Sequence, residues 1–199
     1  MSQYLSIDTE ATGLQEGNYM IQLAMVPVDG SSRKVFHHLG MEVLVKCPSF
    51  EELLPRLDAW NIEHNKELII NANRSGISQE ELKTKVTGYL KSPEITAIFG
   101  NKRPVLLGKS LSALDIPMLK RYLGWEAYEK HFHHHTLDVT CVARYLVDSG
   151  ILPEGCESSS KLIKHFKIRD NVNHTALSDA VDMAEIYVRL LDLMPKRTP

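Results

Sequence analysis

The chain has 199 residues, of which 43% are hydrophobic and 24% are charged, a composition typical of one globular domain with a full core. Its formal net charge of −2 excludes a broadly basic protein that grips long nucleic acid through many phosphate contacts, but not one that holds short nucleic acid in a small pocket. The three cysteines, Cys47, Cys141 and Cys156, form no paired motif, so we expect neither a disulfide framework nor a cysteine zinc site.

The start of the chain and its hydropathy bear on its location. Residues 1–10 read MSQYLSIDTE and enter a strand at once, which leaves no room for a secretory signal. No apolar run approaches the length of a membrane-spanning helix. We therefore expect a single domain over residues 1–199, located in the cytoplasm and without membrane contact.

Residues 1–45 alternate between apolar and polar positions as β-strands do. One strand ends at residues 8–10, a second covers about 20–28, and a third runs from about 35 to 45. Turn residues at 28–31 suit a reversal between the second strand and the third. This pattern predicts an antiparallel meander of three strands.

The middle of the chain has a helical pattern from about residue 62 to residue 90, with a break near 74–76. Ser78 and Glu81 resemble a capping box that opens the second part of this stretch. The apolar run at 104–108 then indicates a short buried strand.

The rest of the chain alternates between helices and strands. A helix follows residue 108, a short strand is expected over 135–139, and the next helix ends near Gly150. A further helix begins near Ser160, and the last one runs from about 176 to 194. A meander of strands followed by this alternation predicts one α/β domain with a mixed sheet.

Two acids, Asp8 and Glu10, stand at the end of the first apolar strand. Residues two apart in a strand point to the same face, so these carboxylates aim at one point while Thr9 faces away. Converging carboxylates repel each other, and such a pair persists when a divalent cation compensates the charge. A solvated strand end is the alternative interpretation of so short a motif.

Two later segments carry the remaining candidates. Asp115 lies on a helix that is otherwise committed to burial, so it sits at the solvent edge, is aimed at a partner, or is favoured there by the helix dipole. His174 starts the final helix, and Asp179 follows about one and a half turns later, which lets it join the acids while His174 lies above them. Helical geometry is expected to put Asp182 and Glu185 on other faces. A surface or capping histidine is the alternative.

Three segments in this order resemble the motifs of a known family: IDTEATGL (7–14), GKSLSALDIPML (108–119) and HTALSDAVDMAEIY (174–187). They are similar to those of the DEDDh 3′→5′ exonucleases, which include oligoribonuclease, ribonuclease T and the proofreading subunits of DNA polymerases. The segment HTLDVTCVARYL (135–146) resembles the strand and helix that precede the third motif. The resemblance spans about residues 4–192.

The resemblance implies a fold and an activity. The fold is a ribonuclease H-like mixed sheet of five strands, an antiparallel meander followed by parallel strands, flanked by helices and forming a single exonuclease domain. The activity is 3′→5′ hydrolysis of single-stranded or short DNA or RNA to nucleoside 5′-monophosphates, and several relatives are homodimers. A non-catalytic module that binds nucleic acid or a polymerase is the alternative.

The resemblance also implies site residues and cofactors. Two Mg²⁺ or Mn²⁺ ions are expected, with His174 as the general base. The four acidic metal ligands and catalytic residues are Asp8, Glu10, Asp115 and Asp179. The expected contacts to the 3′-terminal nucleotide, besides His174, are Thr9, Thr12, Gly13, Leu14, Ser110, Leu111 and Leu114.

Some positions depart from the family or lie outside its motifs. Lys109 stands where many relatives carry Asn, so substrate contacts there are expected to differ. In a strand, the rings of His133–His135 could not all face one ion, because alternate side chains point to opposite faces. The run is therefore expected to be a solvated loop with an incidental affinity for metal. The basic residues between Lys161 and Arg169 either steer phosphates or line an exposed helix face.

Overall fold

A mixed β-sheet forms the centre of the fold in residues 3–169 and 175–194, which the computed structural model describes. Its strands follow the order β3-β2-β1-β5-β6, and β4 also pairs with β2. The contacts of β1 with β2 are antiparallel, whereas β1 with β5 and β5 with β6 are parallel. The predicted ribonuclease H-like mixed sheet is therefore confirmed. The strands are β1 (Gln3–Ala11), β2 (Met20–Asp29), β3 (Lys34–Val35), β4 (Met41–Leu44), β5 (Val105–Gly108) and β6 (Thr136–Asp138).

The single strand expected over 35–45 is wrong, since this segment forms both β3 and β4 and the described sheet has six strands instead of five. Val35 pairs with Val28, and Met41 pairs with Met25, so residues 36–40 face only two residues of β2. The surplus residues cannot stay in the ladder. They leave it as a 3₁₀ turn at His37–Leu39.

Helices cover the segments between and after the strands. The predicted break near 74–76 and the capping box are confirmed, because one helix ends at Ser75 and the next begins after Ser78, whose amide donates to the Glu81 carboxylate at 2.8 Å. A 3₁₀ turn also occurs at Leu54–Arg56. The helices are α1 (Phe50–Leu53), α2 (Ala59–His64), α3 (Lys66–Ser75), α4 (Gln79–Leu90), α5 (Pro93–Phe99), α6 (Asp115–Leu123), α7 (Trp125–His131), α8 (Val139–Asp148), α9 (Ser159–Phe166) and α10 (Ala176–Asp192).

The sheet is buried on both faces by these helices. On one face Leu106 of β5 packs with residues of α4 and α6, and on the other face Leu107 packs with α8, α9 and α10. Burial on both faces explains why β2 is apolar except at Gln22 and Asp29 and does not alternate strictly. Among the described residues, no helix combines the length and apolar character needed to cross a membrane.

Helix α10 is held on the sheet by three polar contacts at its N-terminal half. The Ser6 hydroxyl donates to the Ala180 carbonyl at 2.7 Å. The Gln22 side-chain carbonyl accepts from the Ala176 amide at 3.0 Å, and Glu42 accepts from the Leu177 amide at 3.1 Å. The Gln22 and Glu42 contacts satisfy amides that a helix start leaves without partners, and all three contacts fix the rotation of α10 over β1.

A stability prediction follows from Gly76, which comes directly after α3 and packs against the backbone of Val45 and Lys46, just beyond β4. A β-carbon added there would lie 2.6 Å from the Lys46 amide nitrogen and 2.7 Å from the Val45 carbonyl carbon, and it would also collide with the Ala72 carbonyl oxygen. These are backbone atoms that cannot move aside cheaply. We expect Gly76→Ala to lower the free energy of unfolding in urea by about 1–3 kcal/mol.

Gly88 is the matched control, because an added β-carbon on this α4 residue meets no atom within 4 Å. Gly88→Ala is expected to raise the free energy of unfolding by about 0.5–1 kcal/mol, since alanine loses less backbone entropy in a helix. Equal effects of the two substitutions would contradict the packing described for Gly76.

Candidate active site

Three carboxylates meet where β1 ends beneath α10. Asp8 and Glu10 project from the face of β1 that contacts α10, and Asp179 projects from the first turns of α10. One oxygen from each carboxylate lies within 4.8 Å of the others. The rotation of α10 that Ser6 and Gln22 fix therefore brings together acids that are about 170 positions apart in the chain.

The fourth acid, Asp115, approaches from the opposite face of β1. It is the first residue of α6, it is only 5% exposed, and its carboxylate accepts from the Thr9 hydroxyl at 2.8 Å. Thr9 faces away from Asp8 and Glu10, as the strand alternation predicts, and it uses that direction to hold Asp115. Asp115 lies outside the group of three that meets within 4.8 Å.

Burial, with repulsion between the acids at Asp8 and Glu10, raises the pKa of three of these carboxyl groups. Desolvation, followed by the charge of Asp115 and of the other two acids, raises the pKa of Asp8 well above its ordinary value. Desolvation and the charges of Asp179 and Asp115 raise the pKa of Glu10 to about 7. Desolvation also raises the pKa of Asp115 to about 6. Lys109 acts in the opposite direction on Asp8 but does not offset this concentration of negative charge.

Arg169 contacts this cluster, and sequence reasoning missed that role. Its Nη2 lies 3.0 Å from Oδ1 of Asp179 and 2.5 Å from Oδ2 of Asp182. The expectation that Asp182 lies on another face than Asp179 is therefore wrong, because residues three apart are neighbours on a helix. Lys161 and Lys164 are exposed on α9 as expected, whereas Arg169 is largely buried.

His174, the expected general base, lies outside the described residues. The neighbouring Thr175 caps α10, and its hydroxyl accepts from the Ser178 amide at 3.2 Å.

Among the residues expected to bind substrate, Leu14 and Leu114 lie together at an open surface. Both line a groove of about 370 Å³, along with Pro117 and Met118. Leu14 is 77% exposed, an unusual state for a leucine, and Leu114 directly precedes Asp115. Gly13 sets the turn before Leu14 with φ of +151°, and a β-carbon there would lie 2.6 Å from the Asn18 side chain.

The other residues expected to bind substrate, where the structure describes them, do not line this groove, and they make contacts within the protein instead. Thr12 is buried and accepts from the Tyr19 amide at 2.9 Å, which closes the loop after β1. Leu111 is buried in the core. Ser110 is exposed with φ of 51°, and its amide donates to Asp138 at 2.7 Å. Asp138 is a further residue that sequence reasoning did not single out.

The histidine run is arranged differently from the expectation based on strand alternation. Residues 133–135 precede β6 and do not belong to it, so alternation does not apply to them. His134 and His135 are exposed, as expected for a loop, but one ring nitrogen from each of the three residues lies within 4.8 Å of the others. The argument from strand alternation therefore does not apply to these rings, and the expected loop is confirmed.

Comparison with known proteins identifies related folds. No curated protein sequence matches the chain. A structure of a 3′-exonuclease described as recognising the 3′ end of histone mRNA stem-loop has a TM-score of 0.63 at 14% identity, covering 96% of this chain and 82% of that one. The nuclease domain of 3′hExo, a DEDDh family member bound to rAMP, has a TM-score of 0.64 at 14% identity, with 96% and 92% covered.

A third solved structure is similar over the same part of the chain. Cell-death related nuclease 4 (CRN-4) has a TM-score of 0.72 at 15% identity, with 96% of this chain and 64% of that chain covered. At these identities the solved structures establish the fold. The family is established by sequence, because residues 5–187 match the model of the exonuclease family RNase T. The chain therefore belongs to the RNase T exonuclease family, the DEDDh group that its three motifs resemble.

Proposed function

We propose that the chain is a single-domain, metal-dependent 3′→5′ exonuclease over residues 1–199. It would hydrolyse phosphodiester bonds of single-stranded or short DNA or RNA and release nucleoside 5′-monophosphates. The observation that carries this proposal is the group formed by Asp8, Glu10 and Asp179, whose oxygens lie within 4.8 Å. Asp115 stands next to the group and interacts with it electrostatically.

The donor atoms fit Mg²⁺ or Mn²⁺. These hard ions prefer carboxylate oxygens, and the four acids supply such oxygens without any thiolate. Their mutual repulsion and raised pKa values support a site whose charge is balanced by a cation. Asp8, Glu10, Asp115 and Asp179 would hold the ions. When bound, two such ions supply charge relief at the phosphate and activate the attacking water.

The chain's own residues then have separate tasks. Thr9 orients Asp115 through its hydroxyl, and His174 accepts the proton of the attacking water, since an imidazole titrates near neutral pH. Leu14 and Leu114 cover the base of the 3′-terminal nucleotide in the groove that they share. The positive charge of Lys109 favours a phosphate beside the acids.

Loss of the proposed metal site should abolish hydrolysis. With a 5′-labelled single-stranded oligonucleotide and Mg²⁺ or Mn²⁺, the wild type is expected to shorten the strand from its 3′ end. Asp8→Asn is expected to slow this about 1,000-fold or more, since it removes a charged ligand worth several kcal/mol. Asp148→Asn, on an exposed acid at the end of α8, should digest as fast as wild type. Absence of wild-type activity would favour the non-catalytic binding module.

The pH dependence of stability provides a test without substrate. In metal-free protein, Glu10 keeps its proton in the folded state up to pH about 7, whereas the unfolded chain loses it near the ordinary value of 4.5. The folded state then binds more protons, so the free energy of unfolding falls as pH rises between these values. Glu10→Gln is expected to flatten that fall in urea titrations, and Mn²⁺ is expected to stabilise the wild type but not Glu10→Gln at pH 7.5.

Glu154→Gln is the control for this titration, because Glu154 is an exposed acid that does not belong to the acid cluster. It should retain both the fall in stability with pH and the stabilisation by Mn²⁺. A Glu10→Gln profile that overlays the wild type would contradict the repulsion described at the cluster.

The groove predicts a separate effect on substrate binding. Leu14→Ala is expected to raise KM for a short oligonucleotide roughly fivefold to tenfold and to leave kcat nearly unchanged, since it removes about 1 kcal/mol of apolar contact with the terminal base. Leu54→Ala, at another exposed leucine, should leave both constants unchanged. Identical kinetics for the two variants would exclude Leu14 from the binding groove.

A further inference from the structure

A buried pair formed by Arg169 and Asp182 adjoins the acid cluster, and the tasks assigned above do not use it. The side chain of Asp182 is 3% exposed and that of Arg169 is 19% exposed. Nη2 of Arg169 lies 2.5 Å from Oδ2 of Asp182 and 3.0 Å from Oδ1 of Asp179. One guanidinium nitrogen thus spans a residue inside the cluster and a residue one turn beyond it.

Asp182 has no direct part in the cluster. The group of acids whose oxygens meet within 4.8 Å includes Asp179 but not Asp182. A buried carboxylate is costly unless a cation and hydrogen bonds compensate it, and Arg169 provides the cation. The ion pair with Asp182 therefore holds the guanidinium of Arg169 next to Asp179.

We propose that Asp182 anchors Arg169 and that Arg169 holds the Asp179 carboxylate turned toward Asp8 and Glu10. In the absence of cations, repulsion from these two acids favours rotation of Asp179 away from the cluster. A guanidinium hydrogen-bonded to Oδ1 opposes that rotation and keeps the ligand set assembled. Arg169 is thus a positioning residue, and the inference rests on the proposed metal-dependent function.

The sign of the effect on metal affinity tests this role. By charge alone, removing Arg169 would tighten the binding of a divalent cation to Asp179, because it removes a neighbouring positive charge. By positioning, removal weakens binding about 10- to 100-fold, the usual effect of losing a residue that orients a ligand. Calorimetry with Mn²⁺ on Arg169→Met separates the two, and we expect weaker binding with partial recovery in Arg169→Lys.

Two further variants guard against a purely structural explanation. Arg189→Met removes the same charge from an exposed position on α10 and should bind Mn²⁺ as wild type does. Arg169→Met combined with Asp182→Asn removes the buried charge that the single variant leaves behind. We expect this double variant to regain thermal stability but not Mn²⁺ affinity.

The outcomes separate this inference from the proposed function. Failure of the wild type to bind Mn²⁺ would overturn the metal site itself, and the positioning role with it. If the wild type binds Mn²⁺ and Arg169→Met binds it equally or more tightly, the positioning role alone is overturned. Recovery of wild-type affinity in the double variant would likewise overturn only the positioning role.

A second cluster stands apart from the acids, at the opposite end of the sheet. His133, His134 and His135 have ring centroids 4.2–4.8 Å apart, with one nitrogen of each within 4.8 Å of the others. The amide of His133 donates to the Pro104 carbonyl at 2.9 Å, which ties the run to the start of β5. The amide of His135 donates to Nδ1 of His133 at 3.0 Å, which curls the chain.

The sheet register separates this cluster from the acids. Thr136 pairs with Leu106, and Leu106 pairs with Leu5, three residues before Asp8 on a parallel strand. The histidines therefore lie at the amino ends of the parallel strands, whereas the acids lie at the carboxyl end of β1. The two clusters cannot share one ion.

We infer that the His133–His135 cluster binds a transition-metal ion such as Zn²⁺. Imidazole nitrogen suits Zn²⁺, Cu²⁺ and Ni²⁺, whereas Mg²⁺ prefers oxygen. Nitrogens bound to one tetrahedral Zn²⁺ at 2.0–2.1 Å lie about 3.3 Å apart, so modest rotations of the exposed His134 and His135 rings close the site. In this structure Nδ1 of His133 accepts a hydrogen bond from the His135 amide. If Nε2 of His133 binds the metal, the neutral ring carries its proton on Nδ1, and the hydrogen bond from the His135 amide is lost.

Zn²⁺ titration by calorimetry tests this site, with excess Mg²⁺ present to occupy the acids. We expect one Zn²⁺ per chain, and we expect the double variant His134→Asn with His135→Asn to weaken binding at least tenfold. His38→Asn, at an exposed histidine elsewhere, is the control. Absence of Zn²⁺ binding by the wild type, or affinity of the double variant within twofold of it, would overturn the site.

Discussion

Repulsion among carboxylates at the end of β1 is the constraint on which the site depends. Oxygens of Asp8, Glu10 and Asp179 lie within 4.8 Å of one another, and burial together with this repulsion raises the pKa of Asp8 and of Glu10. The surrounding structure opposes this repulsion with many contacts. Ser6 and the capping partners hold α10 in place, and Arg169 contacts Asp179 directly. An arrangement so unfavourable in free energy supports the proposal that divalent cations balance its charge.

The alternation of β1 explains how acids on two helices approach the end of β1 from both faces of the sheet. Its even-numbered residues face α10, where Ser6 binds the helix backbone and Asp8 and Glu10 meet Asp179. Its odd-numbered residues face α6, where Leu5 and Ile7 enter the core and Thr9 binds Asp115. One strand therefore serves as the scaffold for two helices that carry the remaining acids. A shift of register by one residue would exchange these faces, and it would break both the group of Asp8, Glu10 and Asp179 and the contact of Thr9 with Asp115.

The features that sequence-based reasoning did not predict have a common physical origin in contacts between distant segments. The division of the strand over 35–45 depends on how many residues of β2 lie opposite, and that number is set by pairing. The contact of Arg169 with Asp179 depends on where the end of α9 meets α10. The closeness of the His133–His135 rings depends on a loop tied to Pro104. Local periodicity contains no information on any of these.

The sequence by itself determined the order of elements, the apolar strand that ends in Asp8 and Glu10, and the family to which the three motifs belong. These follow from local periodicity and from residue types at short spacing, which the chain carries without folding. Only the tertiary structure decided that Asp179 meets Asp8, that Thr9 holds Asp115, and that Thr12 and Leu111 are buried away from the groove. The reason is that strand pairing and helix docking set distances between residues that no local pattern relates.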